Sequence, residues 1–334
     1  MYHTSTQRKY WTFPNEEEIA QHKGALHNQF FQKLKDDDSR HIRTKDLPSV
    51  EELDHLCTFY EFELMDLCRR FDPPMPATAA VYMKRFYLVC SVMDYHPCDI
   101  MLACVYLATK VDEYNISIDK FLTMVPENDK ERAKSRTLGF ELLVMEKLKF
   151  HLTIHCPYRP VEGLLINIMT VIPEIADKID EVRRHIDKFL SKILYCQAML
   201  IYPPSQVGEI ALFPLQIALA AIIEAGEKAG LDLFERYLKQ HVVGKSDDNK
   251  YIQLVAKLKD IRKMTNRSPT KIDVHTKEKI EEKVRIYRNE NHNPDSHAYK
   301  RLREEEEKML EQRQAEKRTR LAKDKKQRES KLLR

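Results

Sequence analysis

The chain has 334 residues, of which 43% are apolar and 32% charged, so it is long enough for two ordinary domains. It contains only seven glycines, which argues against glycine-rich phosphate loops and against sheets with many tight turns. A net charge of +4 is too small to indicate a protein-wide nucleic-acid face, so strong direct binding to nucleic acid is not expected. The composition therefore favours an all-α fold.

Seven cysteines occur without a CxxC pair, mostly inside apolar helical runs, where a free cysteine behaves as a small hydrophobe. Together with a polar N-terminus, this odd count predicts a soluble protein of a reducing compartment. The longest apolar run, at 210–223, is too short to span a bilayer and includes Pro214 and Gln216. No membrane association is expected.

Helical signals follow one another along the first half of the chain. Asn15 is placed to cap a helix that runs to about Lys35, within an N-terminal helix and connector region of residues 1–46. Ser49 caps the next helix and opens a five-helix domain at 47–154. Its helices are predicted at about 49–71, 77–93, 99–112, 117–124 and 131–150.

A second five-helix domain at 155–268 begins with a proline-bearing hinge at 155–160. Its helices are predicted at about 161–171, 179–200, 214–229, 232–240 and 247–266. Two sequences, at Tyr202 and Phe213, compete as the entry to its third helix. We place that helix after Phe213 and interpret residues 207–212 as an inserted connection.

Residues 269–334 form a charged C-terminal extension, with twenty Lys or Arg against fourteen Asp or Glu. We expect a solvated helix supported by pairs such as Glu304 with Lys308, and a flexible joint at 289–297. The last eighteen residues hold nine positive and two negative charges. This run has three interpretations: a solvated tail, a nuclear import signal, or a weak electrostatic contact with nucleic acid.

Two charged residues interrupt apolar helical runs. Lys110 lies at the border of the helical stripe Ile100, Cys104, Leu107, Ala108 and Val111. Glu141 lies within a predicted buried stripe of Leu138, Leu142, Met145 and Leu148. Spacing alone allows a salt bridge between neighbouring helices, two solvated side chains, or contacts with a partner.

Motifs for catalysis and cofactor binding are missing. The sequence has no GxxxxGK, GxGxxG, HExxH or GxSxG pattern, so no enzyme activity and no cofactor are expected. His151 and His155 are four residues apart, but only Cys156 lies near enough in sequence to add a ligand. A metal site is therefore not expected.

The ordered motifs resemble the cyclin family. The matching segments are LATKVDE at 107–113, similar to the third helix of a cyclin box, KRFYL at 84–88 in the second helix, and Phe140 with Glu141 in the fifth. The N-terminal pattern around Trp11 is similar to one branch of the family, and the resemblance covers roughly residues 1–263.

The resemblance implies tandem cyclin boxes and a non-catalytic subunit that activates a cyclin-dependent kinase allosterically. Lys110 and Glu141 would contact the mobile helix of the kinase, and Leu107 and Val111 would supply apolar area. In this branch the partners would be the CDK-activating kinase, its assembly-factor subunit and TFIIH, in the nucleus. The targets would be activation loops of other cyclin-dependent kinases and the C-terminal repeats of RNA polymerase II.

Two other functions remain open at this point. General transcription factors of the TFIIB type share the helical unit and hold promoter DNA, but they carry an N-terminal zinc ribbon, and no cysteine precedes Cys57 here. A helical scaffold without a kinase partner is the second alternative.

Overall fold

A computed structural model of the chain describes residues 4–36, 47–202, 216–231, 237–243, 248–267 and 269–332. Within these ranges the chain consists of α-helices joined by turns and short 3-10 or π segments, and no β-strand occurs. In the same ranges no helix combines the length and apolar character needed to cross a membrane. The all-α prediction is therefore confirmed for the described residues.

The N-terminal region contains α1 (Thr6–Tyr10) and α2 (Glu16–Lys35). Asn15 caps α2, as predicted, because its side-chain oxygen accepts a hydrogen bond of 2.9 Å from the amide of Glu18. Ile19 of α2 is buried in a small apolar cluster whose other buried members are Leu88, Leu200 and Ile201. Because these residues come from both halves of the chain, α2 bridges the two halves.

Five helices follow in what we call the first unit. They are α3 (Val50–Leu67), α4 (Met75–Phe86), α5 (Pro97–Val111), α6 (Ile118–Leu122) and α7 (Lys130–Lys147). At the start of α3, Ser49 and Glu52 form a reciprocal capping box with hydrogen bonds of 3.1 and 2.8 Å. The central helix is α5, which packs against α3, α4 and α7 and has nearly all its side chains buried.

The predicted continuation of α4 to residue 93 is wrong, because the helix ends at Phe86. Beyond it the backbone runs in turns, and the hydroxyl of Tyr87 donates to the carbonyl of Tyr95 at 2.9 Å. The segment 87–95 is nevertheless mostly buried in the core of the first unit. Its apolar composition reflects this burial and not a helical conformation.

The second unit is built in the same way. Its helices are α8 (Tyr158–Val171), α9 (Ile179–Ile193), α10 (Ala198–Ile201), α11 (Gln216–Lys228) and α12 (Asp248–Asn266), with a π segment at Leu238–Val242. The central helix is α11, which packs against α8, α9 and α12. The predicted helix at 179–200 is interrupted between α9 and α10. The proposed insertion at 207–212 lies outside the described residues.

Each unit has its own hydrophobic core. Ala77 and Val81 of α4 belong to the core of the second unit, although the rest of α4 packs within the first. Both side chains are almost fully buried. Since α4 contributes to both cores, it fixes the two units against each other.

The C-terminal extension contains α13 (Val274–Tyr287) and α14 (His297–Leu332). α13 packs against α3 and buries three apolar side chains in the core of the first unit, Ile280, Val284 and Tyr287. This packing of α13 was not predicted from the sequence, since the solvated helix was expected farther along, around Glu304 and Lys308. Most described side chains of α14 are exposed, in line with a solvated helix.

The segment 289–297 is anchored, so the predicted flexible joint is also wrong. The side-chain amide of Asn289 donates to Asp94 at 3.0 Å. The ring of His292 stacks on Tyr95 with 4.5 Å between centroids. These contacts bind the segment that precedes α14 to the turns that follow α4.

Candidate functional site

Lys110 and Glu141 lie side by side on the surface of the first unit. Lys110 is in the last turn of α5, and Glu141 is in the second half of α7. The ammonium of Lys110 donates to both carboxylate oxygens of Glu141, at 2.6 and 2.8 Å. The side chain of Lys110 is 45% exposed and that of Glu141 is 13% exposed. The pair is formed within the chain, yet its Lys110 side remains accessible.

This pair contributes little to folding by itself. Half-exposed ion pairs typically stabilise a protein by about 0–1 kcal/mol, because water screens the attraction and the side chains lose freedom. A salt bridge between neighbouring helices, one of the alternatives left open by the sequence, is therefore present. Lys110 is not sealed beneath it, so a contact with a partner remains sterically open.

The exposed face of α7 beside Glu141 is apolar. Leu138 and Leu142, predicted to be buried, are 42% and 61% exposed, so that part of the predicted stripe is wrong. The face that packs on the core consists of Ala133, Thr137, Phe140, Val144 and Leu148. Thr137 is accommodated there because its hydroxyl donates to the carbonyl of Ala133 at 2.7 Å. A small and a polar residue thus lie among the core-facing side chains of α7, whereas two leucines flank Glu141 at the surface.

The two apolar residues predicted beside Lys110 differ in exposure. Leu107 is 2% exposed, so the expectation that it offers apolar area to a partner is wrong: it fills the core of the first unit. Val111, at the end of α5, is only half-buried. We call the patch formed by these accessible residues the ion-pair surface; it consists of Lys110, Val111, Leu138, Glu141 and Leu142.

Phe150 adds a large aromatic side chain just beyond α7 and is not among the residues predicted from the sequence. It is 62% exposed. Lys149 and Phe150 both have positive φ, 53° and 56°, a left-handed conformation that costs roughly 1–2 kcal/mol per residue. The amide of Phe150 donates to the carbonyl of Met145 at 2.9 Å, which fixes the turn. The only sequence signal is that Phe150 does not continue the helical spacing of the buried residues.

The N-terminal segment covers the junction between the two units. The indole N–H of Trp11 donates to Nδ1 of His151 at 3.0 Å, and the guanidinium of Arg85 lies 5.2 Å from the indole centroid. The side chain of Gln7 is buried and accepts a hydrogen bond of 2.8 Å from the amide of His155. The ring of His151 therefore has a structural partner, and the main chain at His155 is tied to the N-terminal segment.

His151 must be neutral at Nδ1 to accept from Trp11. Burial, reinforced by the positive charges of Arg85 and Lys149, lowers the pKa of His151 and favours that neutral form. Across the part of the chain that the structure describes, no group of three or more His, Cys, Asp or Glu side chains is arranged to hold a metal ion.

A buried polar cluster fastens α13 to the first unit. Asp99 is 1% exposed and forms an ion pair with Arg136. Nδ1 of His96 accepts from the amide of Cys98 at 3.3 Å, and its Nε2 lies 3.5 Å from the carboxylate of Glu281 on α13. Burial lowers the pKa of His96 to about 3, and nearby positive side chains act in the same direction. His96 is therefore neutral in the folded protein.

Comparison with known proteins matches both units to family models. The model described as "Cyclin, N-terminal domain" matches residues 30–153, and the one described as "Cyclin C-terminal domain" matches residues 156–266. Cyclin-H of Xenopus laevis is 38% identical over 248 residues, which cover 72% of this chain and 72% of that protein.

Two solved structures share the fold. One is a chain of the CAK complex of Chaetomium thermophilum bound to ATP-gamma-S, with a TM-score of 0.71 and 21% identity, covering 92% of this chain and 94% of that one. The other is a chain of the yeast TFIIK complex, with a TM-score of 0.56 and 24% identity, covering 79% of this chain and 100% of that one. At these identities the likeness concerns the fold alone.

Proposed function

We infer that this chain, which belongs to the cyclin family and to its cyclin H branch, activates its cyclin-dependent kinase through the ion-pair surface. The chain is a regulatory subunit of a kinase complex and not its catalytic subunit. The observation that carries the proposed site is the combination of an accessible Lys110 with the exposed leucines of α7. A soluble helical domain normally turns such apolar side chains inward.

The ion-pair surface would act on the equilibrium of the kinase. A protein kinase is competent only when its mobile helix is positioned so that a glutamate on that helix pairs with the ATP-positioning lysine. A rigid surface that binds this arrangement more tightly than the inactive one shifts the population toward activity. A shift from 1:99 to 99:1 requires a difference in binding of about 5.5 kcal/mol.

Apolar burial can supply much of this difference. Full burial of one leucine or phenylalanine side chain contributes about 1.5–3 kcal/mol. Leu138, Leu142 and Phe150 are 42%, 61% and 62% exposed, so each has area left to bury against a partner. If they contact only the active arrangement, burial of these exposed fractions contributes about 2.5–5 kcal/mol, and polar contacts must supply the remainder.

The ion pair suits a surface that a partner will cover. Because Glu141 already neutralises Lys110, covering the two together leaves no unpaired charge, which would be costly. An ammonium has three donors, and the carboxylate of Glu141 accepts from two of them. The third donor of Lys110 can reach a carboxylate or carbonyl of the kinase, so the pair would fix the register of the contact.

Charge reversal at matched positions tests the site. Lys228 at the end of α11 is the control, because it is 49% exposed and pairs with Glu224 at 2.8 Å, much as Lys110 pairs with Glu141. We expect Lys110→Glu to lower the affinity for the purified kinase by about 2–5 kcal/mol and to abolish activation. Lys228→Glu should activate normally.

Thermal unfolding of both variants would show that each remains folded. Normal activation by folded Lys110→Glu would contradict the site without affecting the family assignment. Equal loss in both variants would point to a general effect of charge reversal.

We further propose that the kinase is the CDK-activating kinase, with an assembly-factor subunit, acting within TFIIH in the nucleus. The similarity to Cyclin-H and to chains from CAK and TFIIK complexes supports this assignment. The basic sequences at 317–320 and 323–326 are consistent with nuclear import. Affinity purification from nuclear extract should recover one cyclin-dependent kinase; recovery of promoter DNA without a kinase would contradict the proposal.

A further inference from the structure

The ammonium of Lys110 has a second neighbour besides Glu141. It lies 4.3 Å from the ring centroid of Tyr106, one turn earlier on α5. A cation within about 6 Å of an aromatic face is attracted by the negative charge density of the ring. Lys110 is thus held from two sides, by a carboxylate and by an aromatic ring.

Tyr106 is itself fixed by packing. It is 6% exposed, and its ring lies 5.2 Å from that of Phe121 on α6, centroid to centroid. The spacing of four residues places Tyr106 and Lys110 on the same face of α5, where their side chains meet. The flexible side chain of Lys110 therefore packs against the fixed aromatic ring of Tyr106.

We propose that Tyr106 is a positioning residue for Lys110: its ring holds the ammonium beside Glu141, in the place where the kinase meets it. This inference rests on the proposed function of the ion-pair surface. A free lysine side chain loses conformational freedom when it is fixed in one position. Because the ring and the carboxylate restrict Lys110 before the kinase arrives, less freedom is lost on binding.

The test is a double-mutant cycle with the purified kinase subunit, measuring its dissociation constant by calorimetry. We expect Tyr106→Leu to weaken binding by about two- to fivefold, the usual strength of an accessible cation–π contact. Tyr106→Phe keeps the ring and should bind normally. In a Lys110→Met background, Tyr106→Leu should cause no further loss.

The outcomes separate the two proposals. If Lys110→Met itself binds normally, the ion-pair surface is wrong. If Lys110→Met weakens binding but Tyr106→Leu causes the same loss in both backgrounds, Tyr106 acts through general packing and the positioning role is wrong. Normal binding of Tyr106→Leu would also overturn it.

A variant that keeps the aromatic ring tests the proposal even if Tyr106→Leu does not fold. Replacement of Tyr106 by 3,4,5-trifluorophenylalanine retains the ring but removes most of its negative face. Compared with Tyr106→Phe, it should weaken binding about two- to fivefold only when Lys110 is present. Equal binding of the fluorinated and unfluorinated rings would contradict the proposal.

Discussion

In each unit an ion pair joins the central helix to the last helix, but the two pairs are built differently. In the first unit, Lys110 on α5 pairs with a single carboxylate, that of Glu141 on α7, and stays 45% exposed. In the second unit, the cation is Arg262 on α12, and it is held by Glu224 and Glu227 of α11 through bonds of 2.5–2.9 Å. The guanidinium of Arg262 is thus engaged on both of its edges.

This difference separates a structural pair from an available one. Glu224 is 7% exposed and also pairs with Lys228, so the buried carboxylate of the second network has two cationic partners. The exposed apolar residue of α12, Ile252, precedes Arg262 by ten residues, about 15 Å along the helix. Leu142, by contrast, directly follows Glu141. The ion pair between the central and last helices therefore stabilises the second unit. In the first unit, as we propose, the corresponding pair remains accessible to a kinase.

Removing the cation of the ion pair should lower the free energy of unfolding more in the second unit than in the first. Arg262→Ala leaves the buried Glu224 with only Lys228, and we expect the free energy of unfolding to fall by about 2–3 kcal/mol. Lys110→Met should lower it by less than about 1 kcal/mol. Denaturant titration measures both. Equal losses would mean that the two pairs have the same structural role.

Acid should weaken the first unit through His96. In the unfolded chain His96 has its ordinary pKa of about 6.5, whereas burial in the folded protein lowers this pKa to about 3. Stability is therefore complete above pH 6.5 and falls by about 1.4 kcal/mol per pH unit below it, or about 2 kcal/mol between pH 6.5 and 5. Denaturant titrations across this range measure the slope.

His96→Asn is the control for the pH dependence, because asparagine can still cap α5 but does not titrate. Its unfolding free energy should depend less steeply on pH in this range than that of the unmodified chain. An unchanged slope would show that another group causes the acid sensitivity.

Shortening one exposed leucine should reduce kinase affinity and leave folding intact. We expect Leu142→Ala to weaken binding by about 1–2 kcal/mol, because its exposed area is no longer buried by the partner. Ile252→Ala in the second unit is the matched control, since Ile252 is 63% exposed and Leu142 is 61% exposed. Both should change unfolding by less than about 0.5 kcal/mol. If Ile252→Ala weakens binding equally, the contrast between the units fails.

Much of the architecture was accessible from periodicity, proline positions and caps. Helix starts at Asn15 and Ser49 were predicted because side-chain caps have a local sequence signature. The packing of α13 was not predicted, because charged residues predominate in this segment and its apolar residues are few. Yet its buried residues, Ile280, Val284 and Tyr287, recur at helical spacing.

The candidate site was predicted in part, and its errors have one physical origin. Lys110 and Glu141 were found because charges at the border of an apolar stripe stand out. The exposed face of α7 was misassigned because leucines outrank Ala133 and Thr137 in hydropathy. Burial followed packing and internal hydrogen bonding instead. Leu107 was predicted to be accessible, because a single sequence does not show that α5 is surrounded by helices on several sides.

The location of the kinase contact can be measured directly by amide hydrogen exchange, comparing the free chain with the chain saturated by its purified kinase subunit. The ion-pair surface predicts slower exchange at the end of α5, in residues 106–111, and along residues 138–150. Exchange in α11 and α12 should be unchanged. Protection confined to the second unit, with none at 106–111 or 138–150, would contradict the account.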